Sequence, residues 1–228
     1  MARALRDSGC VDVEPSLRHG DDLTRAAVGV DIVILAVPDA AIAGVAAQMA
    51  AVPETVVAHL SGATALDALL PHERRASLHP LVPMSDPVNA AEALKGAWMA
   101  AAGDPLIERL AGALNARLVR IDESDRAIHH AAAVVASNHL IALLGQVERI
   151  SKPLGVPIDA YLDLAAAALE STRRLGPARA LPGPVSRGDW QTIRAHINAI
   201  APSERSAYIA MAKQAAVLAG REWPADIT

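Results

Sequence analysis

Residues 32–39 read Ile-Val-Ile-Leu-Ala-Val-Pro-Asp. Six apolar residues without a polar break are too few for a buried helix. They suit a strand covered on both faces, as in a parallel sheet. Pro38-Asp39 then closes the run and opens an alanine-rich helix reaching about Ala51. Outward from there, Val56–Leu60 is a second buried strand turned by Ser61-Gly62. Shorter strands are expected at Ala76–His79, Trp98–Ala102 and Leu118–Ile121, with a helix at Pro105–Asn115. Strands separated by helical segments predict parallel pairing in a doubly wound α/β sheet. From Ser124 the pattern changes. Asp122 or Ser124 can cap a helix continuing to about Ser151, roughly 40 Å long at 1.5 Å per residue. Further helices are expected near 157–175, 189–199 and 202–220, so the chain divides into an α/β half, 1–123, and an all-α half, 124–228.

Composition narrows the class. The chain of 228 residues is 52% hydrophobic and 20% charged, which excludes disorder, collagen and coiled coil. Alanine supplies 50 residues and Phe none, so the core must be built from close contact of small side chains. A net charge of −4 without a basic block argues against nucleic acid or an anionic membrane as partner. The single Cys10 cannot form an internal disulfide, which suits a reducing cytoplasm, and MARALRDSG lacks the apolar stretch of a signal peptide.

An α/β half followed by helices suggests a dinucleotide-binding dehydrogenase, yet the fourteen glycines form no G-x-G-x-x-G. The opening MARALRDSGC reads as the second half of a first helix, and Val11–Glu14 as a second strand. The expectation is a Rossmann-like parallel sheet lacking its first strand, through an incomplete N-terminus. The alternative is a different α/β fold with no nucleotide site.

Landmarks then follow in order: LAVPDAAI at 35–42, HLSGA at 59–63, PHERRASLHPLVP at 71–83 and AGDP at 102–105. DRAIHHAAAVVASNHLIALLGQVE at 125–148 and ALPGPVSRGD at 180–189 complete the set. Together they resemble a family of predicted oxidoreductases that pairs a Rossmann-like NADP-binding domain with a helical C-terminal domain of unknown function. That family looks like a relative of the ketopantoate reductase, pyrroline-carboxylate reductase and 6-phosphogluconate dehydrogenase group. The resemblance implies an NADP-dependent reductase of a small keto or imino acid, with NAD the lesser choice, and a homodimer joined through the helical half. The competing class is a non-catalytic dimeric binding module that has lost its nucleotide loop.

Candidate residues follow from position and chemistry. Val37, Pro38 and Asp39 stand at the carboxyl edge of the sheet, where open α/β folds bind ligands; they line a cofactor or form a proline turn with Asp39 as cap. Ser61 and Gly62 end the next strand. Gly62 lets a ligand near the backbone, and Ser61 can bind a substrate carboxylate or the nicotinamide amide, or simply cap a helix. His79 faces the same edge, where it lines the substrate or serves only the structure of the strand end. Arg18 follows the expected second strand, where a guanidinium suits the 2′-phosphate of NADP; Asp21 or Asp22 could take a ribose hydroxyl instead.

On the long helix, His130, Val134, Ser137, Asn138 and Ile141 share one face at α-helical spacing. By the family resemblance His130 is the proton donor and Asn138 orients the carbonyl, with Ser137 beside the substrate. Imidazole suits the role because its ordinary pKa lies near neutrality. A buried polar network joining helix to sheet is the plainer alternative. Arg187 closes a Pro-Gly-rich loop and could hold an acid substrate, or serve only its turn. No metal site is expected: His129 and His130 point to different helix faces, and neither H-E-x-x-H nor a Cys/His quartet occurs.

Overall fold

The computed structural model describes residues 1–84 and 89–228. Each of the five apolar runs forms a strand: β1 (Ile32–Leu35), β2 (Val56–His59), β3 (Arg75–Pro80), β4 (Trp98–Gly103) and β5 (Arg117–Arg120). They lie side by side in that order. Within Met1–Asn138, helices α1 (Ala2–Ser8), α2 (Ile42–Ala46), α3 (Ala90–Ala93), α4 (Glu108–Ala113) and α5 (Arg126–Val134) accompany the sheet.

One pairing corrects the expectation of a wholly parallel sheet. β1, β2 and β3 run parallel, and so do β4 and β5, but β3 and β4 are antiparallel. Connection length does not set the direction, because β2 and β3 pair in parallel across the shorter connection 60–74 while β3 and β4 are joined by 81–97. The backbone continues the antiparallel ladder, with Leu81 N donating to Trp98 O at 2.8 Å.

A second correction concerns Val11–Glu14, which is not a strand. Among the described residues the sheet ends at β1, so no ladder reaches this segment. Val11 and Val13 are held by packing against the apolar core, and Arg6 donates to Glu14 O at 3.2 Å.

Side chains alternate across the sheet with period two. Val56, Ala58, Ala76, Leu78, Met99 and Ala101 point to one face, where Ala4, Leu5, Leu110, Ala111 and Leu114 of α1 and the α4 region cover them. Their neighbours Val57, His59, Ser77, His79, Ala100 and Ala102 therefore occupy the opposite face. On that face Leu35, Val57, Ile42, Ala46, Met49 and Leu69 make a second apolar cluster.

The chain divides by its contacts after Asn138, later than the change in secondary structure at 123. The reason is local: Arg126, His129 and His130 of α5 touch the sheet and belong with it. A further correction follows. The helical run is not uniform, since Val135–His139 forms a π-helical turn before α6 (Leu140–Ser151). The extra residue in that turn departs from the 3.6-residue period but leaves Asn138 on the His130 side, since at unbroken α-helical spacing the two stand about 80° apart and one added residue narrows that angle.

The helical unit, His139–Thr228, contains α6, α7 (Ile158–Leu175), α8 (Pro177–Ala180), α9 (Pro184–Arg187), α10 (Trp190–Ala199) and α11 (Pro202–Leu218). Its core is Val185, Ile193, Ala212, Ala216 and Ile227, flanked by the edge-to-face pair Trp190–Trp223. Asp189 caps α10 by accepting from Thr192 N at 3.1 Å and Thr192 Oγ1 at 2.7 Å. Arg149 and Glu204 pair at 2.7 Å and tie α6 to α11.

Candidate active site

Because β1, β2 and β3 are parallel, Pro38-Asp39, Ser61-Gly62 and His79-Pro80 all emerge at one carboxyl edge of the sheet. The turns at this edge are bonded to one another. Ser61 Oγ lies 2.7 Å from Asp39 Oδ2 and 2.9 Å from Thr64 Oγ1, and accepts from Thr64 N at 2.9 Å. The Ser61 hydroxyl is thereby engaged in holding Asp39 and capping its own turn. That is the capping alternative raised by the sequence, and Asp39 itself stands exposed.

The other face of the site is α5. Arg126 is 8% exposed, and its guanidinium makes a three-way clasp. It donates to Ser77 Oγ at 2.9 Å and to Ser61 O at 3.5 Å, and it pairs with Glu123. Glu123 in turn accepts from Leu66 N at 3.0 Å. Burial pushes the Glu123 carboxyl up, but the Arg126 and Leu66 hydrogen bonds outweigh it and hold the carboxyl below its ordinary value. One helical turn along, His129 and His130 meet His79 edge-on, with ring centres 5.8 and 5.9 Å apart.

Gly62 permits this meeting. A Cβ on Gly62 would stand 2.7 Å from both His79 Nδ1 and His130 Nδ1, so only glycine lets the two rings close on this turn. Opposite β3, the small side chains of Ala100 and Ala102 leave room beneath the rings. A space of about 10 Å³, enough for one water, lies among Gly62, Ser77, His79, Ala100–Ala102, Ile121, Arg126 and His129.

Three ring nitrogens turned inward, His79 Nδ1, His129 Nε2 and His130 Nδ1, are buried without a hydrogen-bond partner. Burial, then the neighbouring His129, His130 and Arg126, lower the His79 pKa from 6.5 to about 4, with Asp39 acting the other way. His129 is lowered by burial, His130 and Arg126. His59, fully buried on β2, is lowered by burial and Arg126 against Glu123 and Asp39. These imidazoles are neutral at pH 7. Among the described residues no group of His, Cys, Asp and Glu is arranged to hold a metal ion.

The structure thus brings together His130, His79, Gly62, Ser61 and Asp39, and seats Val37 in the apolar cluster at the same edge. Of the other candidates in the same unit, Arg18, Ser137 and Asn138 are not bonded into this cluster. Arg18 is exposed in a turn whose backbone N donates to Asp21 Oδ2 at 2.6 Å. Asn138 is exposed, Ser137 half-buried, and both lie in the π-helical turn. Arg187 ends α9 in the helical unit and is exposed. Sequence reasoning missed Arg126 and Ser77. The available signal was a hydroxyl facing His79's side of an apolar strand, together with a basic residue one turn before two histidines.

Comparison with known proteins adds the following. The model of a Rossmann-like domain matches residues 18–83, and that of a domain of unknown function, DUF2520, matches residues 97–215. Among solved structures, protein TM1727 from Thermotoga maritima is 26% identical, covering 83% of this chain and 77% of that one with a TM-score of 0.68. A putative NADP oxidoreductase from Bacteroides fragilis is 18% identical over 82% and 75% of the two chains, TM-score 0.68. Plasmodium falciparum pyrroline carboxylate reductase, solved with NADP bound, is 10% identical over 96% and 92%, TM-score 0.60. At those last two identities the likeness is one of fold. No curated protein matches the sequence.

Proposed function

The chain belongs to the DUF2520 family, and from that premise we propose that it is an NADP-dependent oxidoreductase reducing a small keto or imino acid. Its solved neighbours include NADP-type reductases, which supports the general class. The observation that carries the reading is His130 of α5 meeting His79 of β3 against the side-chain-free Gly62 at the carboxyl edge of a Rossmann-like sheet.

The residues present fit the nicotinamide end of such a cofactor. Val37, Pro38 and Asp39 would line one side, and the His79 and His130 rings, which fill the space over Gly62, would stand at the other. The 228 residues contain no G-x-G-x-x-G, so no pyrophosphate-binding residue is assigned. Exposed Arg18 is our choice for the 2′-phosphate. The cofactor supplies hydride. The protein's part is to orient the substrate and move a proton. His130 has Nδ1 turned inward, which leaves Nε2 to donate to the substrate oxygen or nitrogen. His79, Ser61 and Ser137 would border the substrate, Asn138 would orient its carbonyl, and Arg187 would hold its acid group.

We further propose a homodimer through the helical unit, with small-molecule substrate as the other partner and no nucleic acid or membrane. Helix α7 has no buried residue, and Leu164 and Leu169 are 66% and 54% exposed. The same unit carries an apolar hollow of about 520 Å³ bordered by α6, α10 and α11. A two-fold pair is self-complementary, so one contact can cover both. The run Glu123–Leu154 is long and apolar enough to cross a membrane. Its first turn is instead held to the sheet by Arg126, which supports a soluble protein, and the single Cys10 is our ground for proposing the cytoplasm.

The test is titration with NADPH, followed by NADPH oxidation with a panel of 2-keto acids and cyclic imines. Turnover is expected, with His130→Ala slower by about 10²–10⁴-fold. No NADPH binding, or full turnover by His130→Ala, defeats the reductase reading. Ligand binding without turnover favours a non-catalytic binding module.

A further inference from the structure

Three imidazoles on two elements crowd one edge of the sheet. His79 projects from β3, His129 and His130 from consecutive positions of α5, and the rings stand edge to face within 6 Å. Each turns one unpartnered nitrogen inward. An unsatisfied buried polar atom costs about 1–3 kcal/mol, so three together demand an account. The adjoining space is polar on one side, with Ser77 Oγ and the Arg126 guanidinium, and has the volume of a single water.

We propose that His79, His129 and His130 form one proton-holding unit, in which a water among His79, His129, Ser77 and Arg126 bridges the first two rings and His130 joins through its ring contact with His79. The unit takes up a single proton. A second is opposed by the first and by the fixed charge of Arg126, one turn away. The charged groups facing it are Arg126 and Glu123 at the start of α5 and Asp39 after β1, with His59 of β2 behind. A neutral imidazole has one N–H and one lone pair, so it relays a proton by accepting at one nitrogen as it releases from the other. When His130 gives its Nε2 proton to a substrate, its Nδ1 accepts the single proton that the unit took up from solvent, so the unit goes from one positive charge to none as the substrate gains the proton. His79 and His129 thus act as positioning and relay residues for His130. The role in turnover rests on the reductase reading, but the shared proton does not.

The experiment is a ¹⁵N-histidine NMR titration of the whole chain without cofactor or substrate. His79 is expected to titrate near pH 4. Its midpoint should rise by about one unit in His130→Gln, and by a similar or smaller amount in His129→Gln, because each change removes a competing site. A cross-peak between water and the His79 and His129 rings is expected in the wild type. A wild-type midpoint at the ordinary histidine value, or a midpoint unmoved in both variants, overturns the unit. Absence of the water cross-peak overturns the bridge. Coupled titration in a protein that binds no NADPH would leave the unit standing and remove the reductase.

Discussion

The two units handle the same alanine-rich composition differently. The sheet unit closes two apolar clusters around its strands and keeps its polar groups in a space the size of one water. The helical unit closes one small cluster, leaves α7 without a buried residue and keeps a hollow of about 520 Å³ open. A sheet satisfies its backbone across strands and can be finished by short helices, so alanine suffices to fill it. The contrast is what the proposed division rests on, with proton chemistry in the first unit and association in the second.

The most disruptive way to test the completeness of the sheet unit is Gly103→Ala. Gly103 ends β4 with φ +80°, and a Cβ there would collide with Arg75 O of the neighbouring strand. Neither backbone can yield, and the left-handed conformation adds its own strain. The expected loss is about 3–4 kcal/mol, read as a lower urea midpoint. A variant as stable as wild type would show that the β3–β4 edge is looser than described.

Acid should separate the units next. The folded-state pKa of His79 is about 4 against 6.5 unperturbed, so below pH 6.5 the unfolded chain binds a proton that the folded one refuses. Stability is therefore full above pH 6.5 and falls as pH drops toward 4. The ring is partly exposed, so the loss is on the order of 1–2 kcal/mol, about half the unscreened figure. His59 and His129 are depressed as well and act in the same direction. In the helical unit the depressed groups are the carboxylates Asp189, Glu204 and Asp226, which act at lower pH. Thermal unfolding between pH 7 and 4 should weaken probes in the sheet unit first, and His79→Gln should flatten that dependence. Equal sensitivity of both units would remove the contrast.

How much of this was legible follows the same line. Strand positions were readable because a continuous apolar run has few other uses, and β1 to β5 fall where Ile32–Val37 and its successors placed them. The antiparallel β3–β4 step was not, since neither a strand's apolar run nor the length of its connection sets the direction. The edge residues Asp39, Ser61, Gly62 and His79 were legible from strand ends alone. Arg126 escaped because a basic residue in a helix's first turn usually faces water, and its burial depends on Ser77 and Glu123 being placed to receive it. Asn138 was paired with His130 by counting 3.6 residues per turn. No residue type in Val135–His139 announces that the turn there is wider.

The smallest effect on a single chain, and the sharpest on the comparison, is expected from Leu164→Glu in α7. Leu164 is 66% exposed and its helix has no buried residue, so the folded chain loses almost no burial. Substitution on such a surface changes stability by no more than about 0.5 kcal/mol. If α7 is the face that meets a second copy, the carboxylate must be desolvated there, and dimerisation should weaken by at least about tenfold. Sedimentation of wild type and variant at matched concentrations measures this directly, with the urea midpoint as control. A variant that dissociates while unfolding at an unchanged midpoint assigns α7 to association. One that stays dimeric moves the interface off α7. A wild type that is already a monomer means that the open apolar surface has another use, and the division of labour between the units would have to be drawn elsewhere.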